Sequence, residues 1–225
     1  MRISVVVAGV ALAMGLAGCS SSAEVSVGDS SAPASPAASP TAEPSVAAGT
    51  QTYTSDKYGF SFQYAPPFEQ KGDTSWEAES GASSADSVAV FDTEGTQVGG
   101  QYRDAFVVNV YQLNQEITDA DLEAVKTELE SNVIPQLEQS SQDMTISDLT
   151  PVTVSGINGY QADATFSVDG TPMTSQLYFL FDGDIEYQLL TQSATDRWEE
   201  LQPTFEQMVN SFTVGGAAAS ESPAA

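Results

Sequence analysis

The sequence predicts an α+β domain, an antiparallel sheet with helices covering its faces. Three observations carry that prediction. Stretches that alternate apolar and polar residues cluster in two blocks. Two other stretches change to the three- and four-residue spacing of a helix face. Glycine dipeptides separate the alternating runs of the second block.

The chain begins Met1-Arg2 and continues as an apolar run from Ile3 to Leu16. A membrane-spanning helix needs ~20 apolar residues. This run is shorter and suits the h-region of an export signal. It ends Leu16-Ala17-Gly18-Cys19. That quartet resembles the lipobox of bacterial lipoproteins, in which cleavage leaves the cysteine first and its thiol carries a diacylglyceryl group. The resemblance implies a leader over residues 1–18 and lipid on Cys19. Acyl chains in pairs anchor stably, so no transmembrane helix is required. The expected location is the extracytoplasmic face of the cell membrane.

Residues 19–51 follow as a Ser/Ala/Pro-rich segment with Pro33, Pro36, Pro40 and Pro44 and no aromatic residue before Tyr53. Such composition cannot bury enough apolar surface to offset its ordering entropy. It reads as a tether that would span ~30 Å as a flexible coil and ~95 Å if fully polyproline-like. Residues 52–214 form one domain, and 215–225 a second low-complexity tail.

Within the domain, Phe60, Phe62 and Tyr64 alternate with polar residues, and Pro66-Pro67 stops that strand. Glu69 to Ser87 is polar and reads as a loop. Val88 to Phe91 reads as a short strand, and Arg103 to Leu113 as a longer one with Phe106, Val108 and Val110 on one side. Leu122, Val125, Leu129 and Val133 mark a helix face. Thr118 and Asp121 form its capping pair, Ile117 and Leu122 its staple, and Pro135 is expected to kink or end it. Three hairpin turns are expected next, at Asn158-Gly159, Asp169-Gly170 and Asp182-Gly183. In each, the dipeptide supplies the positive φ of a tight turn. A last helix starts with Asp196 and Glu199 as capping pair. Its stripe is Trp198, Leu201, Phe205, Met208 and Val209, and Pro203 divides or bends it.

Composition excludes much chemistry. The chain has no histidine and one cysteine. Imidazole bases, histidine-ligated metals and internal disulfides are therefore ruled out. Formal net charge is −25. Loss of Arg2 with the leader would leave five basic residues against 31 acidic ones. Nucleic acid would be repelled, and cationic partners tolerated. Acidic residues are so abundant that no catalytic pair stands out. Lys126 lies between Glu123 and Glu130 at helix-pair spacing, which argues against a Ser–Lys hydrolase. Nothing helical or basic follows Gly99-Gly100, so it is no phosphate loop.

Three further features are weighed as candidate sites. Asp182, Asp184 and Glu186 place three carboxylates around one turn, and calcium takes oxygen ligands. The ordinary reading is an acidic hairpin. Asp119, Asp121 and Glu123 also cluster, but complementing the helix dipole accounts for the first two. Trp76, in a polar stretch, either contacts a partner or folds back onto the sheet edge.

Three stretches together resemble the PsbP-like family, which includes bacterial lipoproteins of the LpqN type. These are Tyr58-Gly59-Phe60-Ser61-Phe62-Gln63-Tyr64-Ala65-Pro66-Pro67-Phe68, then Val154-Ser155-Gly156-Ile157-Asn158-Gly159-Tyr160, and finally Tyr187 with Val209-Asn210-Ser211-Phe212. The resemblance spans Thr52 to Val214 and implies an α/β/α sandwich. It does not imply an enzyme, since members are mostly interaction or assembly modules; for this chain no cofactor is expected. Members in photosynthesis are linked to calcium and manganese; this chain lacks histidine and the basic surface such docking calls for. The expectation is a non-enzymatic, lipid-tethered module that binds another envelope protein or an envelope ligand. The alternatives are a carrier of a small apolar or lipid ligand and, third, a carboxylate hydrolase.

Overall fold

The computed structural model describes residues 49–70, 85–141 and 143–215. The expected leader, Cys19, the expected tether, Trp76 and the expected tail beyond Gly215 lie outside them.

Eleven strands occur among the described residues: β1 (Gln51–Thr54), β2 (Ser61–Tyr64), β3 (Phe68–Gln70), β4 (Asp86–Asp92), β5 (Gln97–Val98), β6 (Gln101–Tyr102), β7 (Ala105–Ile117), β8 (Thr145–Ile146), β9 (Thr150–Val154), β10 (Ile157–Val168) and β11 (Thr171–Ala194). Helix α1 (Leu122–Glu128) runs through a π-helical turn (Leu129–Val133) into α2 (Ile134–Ser140). A 3-10 turn (Thr195–Arg197) leads into α3 (Trp198–Ser211).

The main sheet is antiparallel in the order β3-β4-β7-β11-β10-β8, with β9 also on β10. β11 keeps strand conformation throughout yet doubles back at Asp182-Gly183, where Gly183 has φ +62°. Ser175 Oγ donates to the Thr191 carbonyl at 2.7 Å. A straight strand would hold those residues ~50 Å apart. The first limb pairs with β10 and the second with β7. The turn expected at Asp182-Gly183 is therefore present. So is the one at Asp169-Gly170, both residues at positive φ between paired Val168 and Thr171.

The third turn lies three residues earlier than expected. Ser155 (φ +50°) and Gly156 (φ +85°) make it, and Val154 pairs with Ile157. Asn158 and Gly159 are strand residues. Gly159 answers a different demand: a β-carbon there would stand 2.0 Å from the Phe179 carbonyl oxygen. Gly99 and Gly100, at φ +62° and +80°, turn the small β5–β6 hairpin.

Two apolar layers flank the sheet. On one face α3 and the β1–β2 pair cover Phe106, Val108, Val110, Tyr178, Leu180, Tyr187 and Leu189. Aromatic rings fill this layer; Phe62 meets Phe106 edge-on at 4.9 Å and Phe68 meets Phe205 at 5.7 Å. On the other face Val125, Leu129, Val133 and Leu137 of the first helix pack with Leu113, Ile117, Tyr160, Phe179 and Phe181. The expected helix stripe is the buried one, with Leu122 at its half-buried end. The architecture is an α+β sandwich with the sheet in the middle.

Neither proline ends its helix. The π-turn, in which Ile134 N–H reaches the Leu129 carbonyl, precedes Pro135, and the helix continues past it. Pro203 sits inside an unbroken α3. At the first helix, Thr118 N–H and Oγ1 both donate to the Asp121 carboxylate, at 3.0 and 2.6 Å. Those bonds hold the Asp121 carboxyl below its ordinary range. The Asp196–Glu199 cap does not form, since no side chain caps α3 or the turn before it. Trp198 is half-buried at the rim of its layer, its ring tilted against that of Phe205 with centroids 5.7 Å apart.

Candidate functional site

β7 and β11 part company near the Asp182-Gly183 turn. Ile117 pairs with Gly183 and Gln112 with Ile185, so Leu113, Asn114, Gln115 and Glu116 face Asp184 alone. Leu113 and Ile117 point into the core beneath the first helix, while Gln112, Asn114 and Glu116 are exposed. The misfit opens a depression of about 440 Å³, lined by Leu113 to Glu116, Gly183 and Asp184. Gln112 Nε2 bridges to the Asp184 carbonyl at 3.0 Å.

The three carboxylates of this turn do not converge. Asp182 and Asp184 are exposed and Glu186 is fully buried. The turn and the register shift after Gly183 break the alternation that would place them on one side. Among the described residues no three acidic groups lie close enough to hold a metal ion. The calcium set drawn from Asp182, Asp184 and Glu186 is therefore not assembled. Nor is one at the first helix, where Asp121 is held by Thr118 and Asp119 accepts from Asn158 Nδ2 at 2.8 Å.

Glu186 belongs instead to a buried polar strip. It lies opposite Tyr111, and its neighbour Gln188 lies opposite Asn109. Gln188 Nε2 donates to Glu186 Oε1 at 2.7 Å, and Ser87 Oγ donates to Asn109 Oδ1 at 2.7 Å. Glu186 Oε2 has no hydrogen-bond partner. Burial pushes the Glu186 carboxyl up to about 7, and the Gln188 amide pulls it back only in part. Burial, then the charge of Glu186, drives the Tyr111 hydroxyl far above its ordinary range. The strip can take up and release one proton. It holds no base-activated nucleophile.

This strip was hidden in the sequence. Its only signal is that Glu186 and Gln188 interrupt a run of Ile185, Tyr187, Leu189 and Leu190. Both faces of that run are buried, so the polar members are inside the protein too.

A second polar cluster is an ionic clasp. Arg197 reaches Asp92 at 2.9 Å and also pairs with Asp104. Both carboxylates are fully buried. Asp104 also accepts the backbone N–H groups of Thr96 and Ala194, and Asp92 that of Glu94. Gly95 makes room for the clasp, because a β-carbon there would stand 2.4 Å from Arg197 Nη1 and from Asp104 Oδ2. The clasp ties the end of β4 and the residue before β7 to the start of α3. Paired and fully hydrogen-bonded, these carboxylates serve architecture.

The PsbP family model matches residues 48–214. This chain belongs to the PsbP family. No curated protein matches it in sequence. Among solved structures it is similar to "LpqN involved in cell envelope biogenesis of Mycobacterium tuberculosis", with 14% identity and a TM-score of 0.51, over 73% of this chain and 91% of that one. It is also similar to the cyanobacterial PsbP (CyanoP) of Synechocystis sp. PCC 6803, with 16% identity and a TM-score of 0.52, over 78% of this chain and 98% of that one. At such identities the likeness is one of fold. The turn that opens this PsbP-family meander is Ser155-Gly156, within the stretch that carried the resemblance. No helix among the described residues is long and apolar enough to cross a membrane.

Proposed function

We propose that this chain is a non-enzymatic interaction module of the cell envelope, held on the extracytoplasmic face of the membrane by lipid on Cys19. The observation that carries the reading is how the sandwich is filled. Phe60, Phe62, Phe68, Phe106, Phe205 and Phe212 have almost no exposed surface and occupy the space between sheet and α3. The depression beside β7 is shallow and bordered by amides and carboxylates. A lipid carrier needs a largely apolar cavity instead. Family membership supports the same reading, as does the likeness in fold to LpqN, a protein involved in cell envelope biogenesis. The buried acids are engaged in a clasp or set singly in a strip, and the two carboxylates at the depression, Glu116 and Asp184, are both exposed, whereas a glycosidase keeps its general acid in an apolar setting.

Native mass spectrometry of the full chain, purified from a bacterial host, tests the reading. A protein mass accounted for by polypeptide and N-terminal lipid is the expected result. A stoichiometric extra mass of a few hundred daltons that survives delipidation would replace the module with the carrier. Titration with calcium in the same experiment is expected to give no saturable adduct at micromolar concentration.

A further inference from the structure

We propose that the overhanging edge of β7, from Gln112 to Glu116, is a strand-docking site for an extended, basic segment of a partner protein. The inference rests on the module reading above and names the surface that such a module would use.

β7 is longer than its neighbour on one side. β4 pairs with it only from Ala105 to Val110. The carbonyls of Asp104 and Val110 accept N–H groups from Asp92 and Ala85, so even-numbered residues of this strand aim their backbone groups at β4. Beyond Val110 the strand stays extended and its burial keeps a two-residue period: Gln112, Asn114 and Glu116 are exposed, Leu113 and Ile117 buried. The backbone groups of Gln112, Asn114 and Glu116 therefore face the same side as before, and no described strand lies there. On the opposite side the register gap removes the β11 partners of Leu113 to Glu116. An extended stretch that no described strand pairs is a template for another strand.

Charge selects the occupant. Glu116 and Asp184 border the depression beside this edge, with no cation among its lining residues. The whole chain carries −25. Lys57 reaches the residue before β4 and is already bound there, to the Ala85 carbonyl at 2.8 Å. A second copy of this chain would bring another acidic edge and be repelled. A strand with lysine or arginine at alternate positions would set them beside Glu116 and leave its own backbone free to pair.

The test uses the full chain and a short capped peptide of alternating lysine and threonine. Its control is the same peptide N-methylated at every second residue along one edge. That control keeps the charge and removes the donors. Calorimetric titration at low salt reads affinity, and amide shifts in a labelled sample read position. The expected result is saturable binding that moves the amides of Gln112, Asn114 and Glu116. N-methylation should weaken it about tenfold or more, the equivalent of one to two hydrogen bonds.

Asn114→Pro should weaken binding equally without lowering Tm, since an edge N–H that faces solvent tolerates proline. Glu116→Gln, which leaves the backbone alone, should weaken it a few-fold at low salt. Equal affinity for both peptides would reduce the effect to charge and overturn the proposal. So would no binding at millimolar peptide, or undiminished binding by a folded Asn114→Pro. This titration reads strand pairing and the mass measurement reads ligand content, so either can fail without the other.

Discussion

Glu186 lies directly across the β7–β11 ladder from Tyr111, and both side chains are buried on the sheet. One carboxylate oxygen takes the Gln188 amide and the other takes nothing. Apart from Tyr111, no titratable side chain stands out as acting on this carboxyl; its shift comes from burial and Gln188. The pair is a local conflict in an otherwise consistent core, and its cost depends on pH.

The carboxyl titrates near 4.5 when the chain is unfolded and at about 7 when folded. Between those values the folded state binds the extra proton. Stability from this group is fully present below pH 4.5, falls as pH rises toward 7, and stays low above it. The gap is worth on the order of 3 kcal/mol. Glu186→Gln should therefore raise Tm at pH 8, leave it nearly unchanged at pH 4, and flatten the wild-type slope between them. Calorimetry across this range checks it; parallel slopes for the two proteins would sink the assignment.

Arg197 pairs with two fully buried carboxylates. Removing one partner of such a group leaves charge uncompensated. Arg197→Met is expected to cost roughly 3 kcal/mol in urea unfolding. Adding Asp92→Asn and Asp104→Asn should recover part of that loss, measured as a coupling in the mutant cycle. Gly95→Ala should weaken the fold by displacing the same guanidinium.

Gly159 and Asn158 separate a strand from a turn by experiment. Gly159→Ala drives a methyl against the Phe179 carbonyl. The ladder must shift, at a cost of roughly 3 kcal/mol or more. Asn158→Ala loses only exposed hydrogen bonds to Asp119 and Thr153 and should cost about 1 kcal/mol or less. Were this dipeptide the hairpin turn, Gly159→Ala would act through φ alone and both changes would be mild. Chemical denaturation of the two variants decides.

Cys19→Ala removes the thiol that the proposed anchoring chemistry requires. The expected outcome is transfer of the protein from the membrane fraction to the soluble fraction, with loss of radiolabelled palmitate. Unchanged fractionation would refute the anchor at Cys19.

Much of the fold was legible because period and punctuation are local properties. The helix stripe Val125, Leu129, Val133, the strand face Phe106, Val108, Val110 and the turns at Asp169-Gly170 and Asp182-Gly183 all follow from side-chain spacing and backbone sterics. The same locality explains the misplaced turn. Asn-Gly carries the stronger turn signal, but Ser155 can adopt positive φ beside Gly156, and Gly159 is fixed by a strand far away in sequence. Pro135 and Pro203 read as breakers because their lost N–H is a local fact, while a π-turn and the packing of Leu201 and Phe205 keep both helices running.

The site was the least legible part. The sequence by itself determined the acidic balance, the absence of imidazole and the order of elements, since each depends on composition or near neighbours. Only the tertiary structure decided that Glu186 faces inward against Tyr111 while Asp182 and Asp184 face water. Only it decided that Arg197 meets Asp92 and Asp104, and that β7 runs on beyond its paired length with β4. These relations depend on strand register and on which residues share a buried face, and register is set by contacts between segments that the sequence keeps far apart.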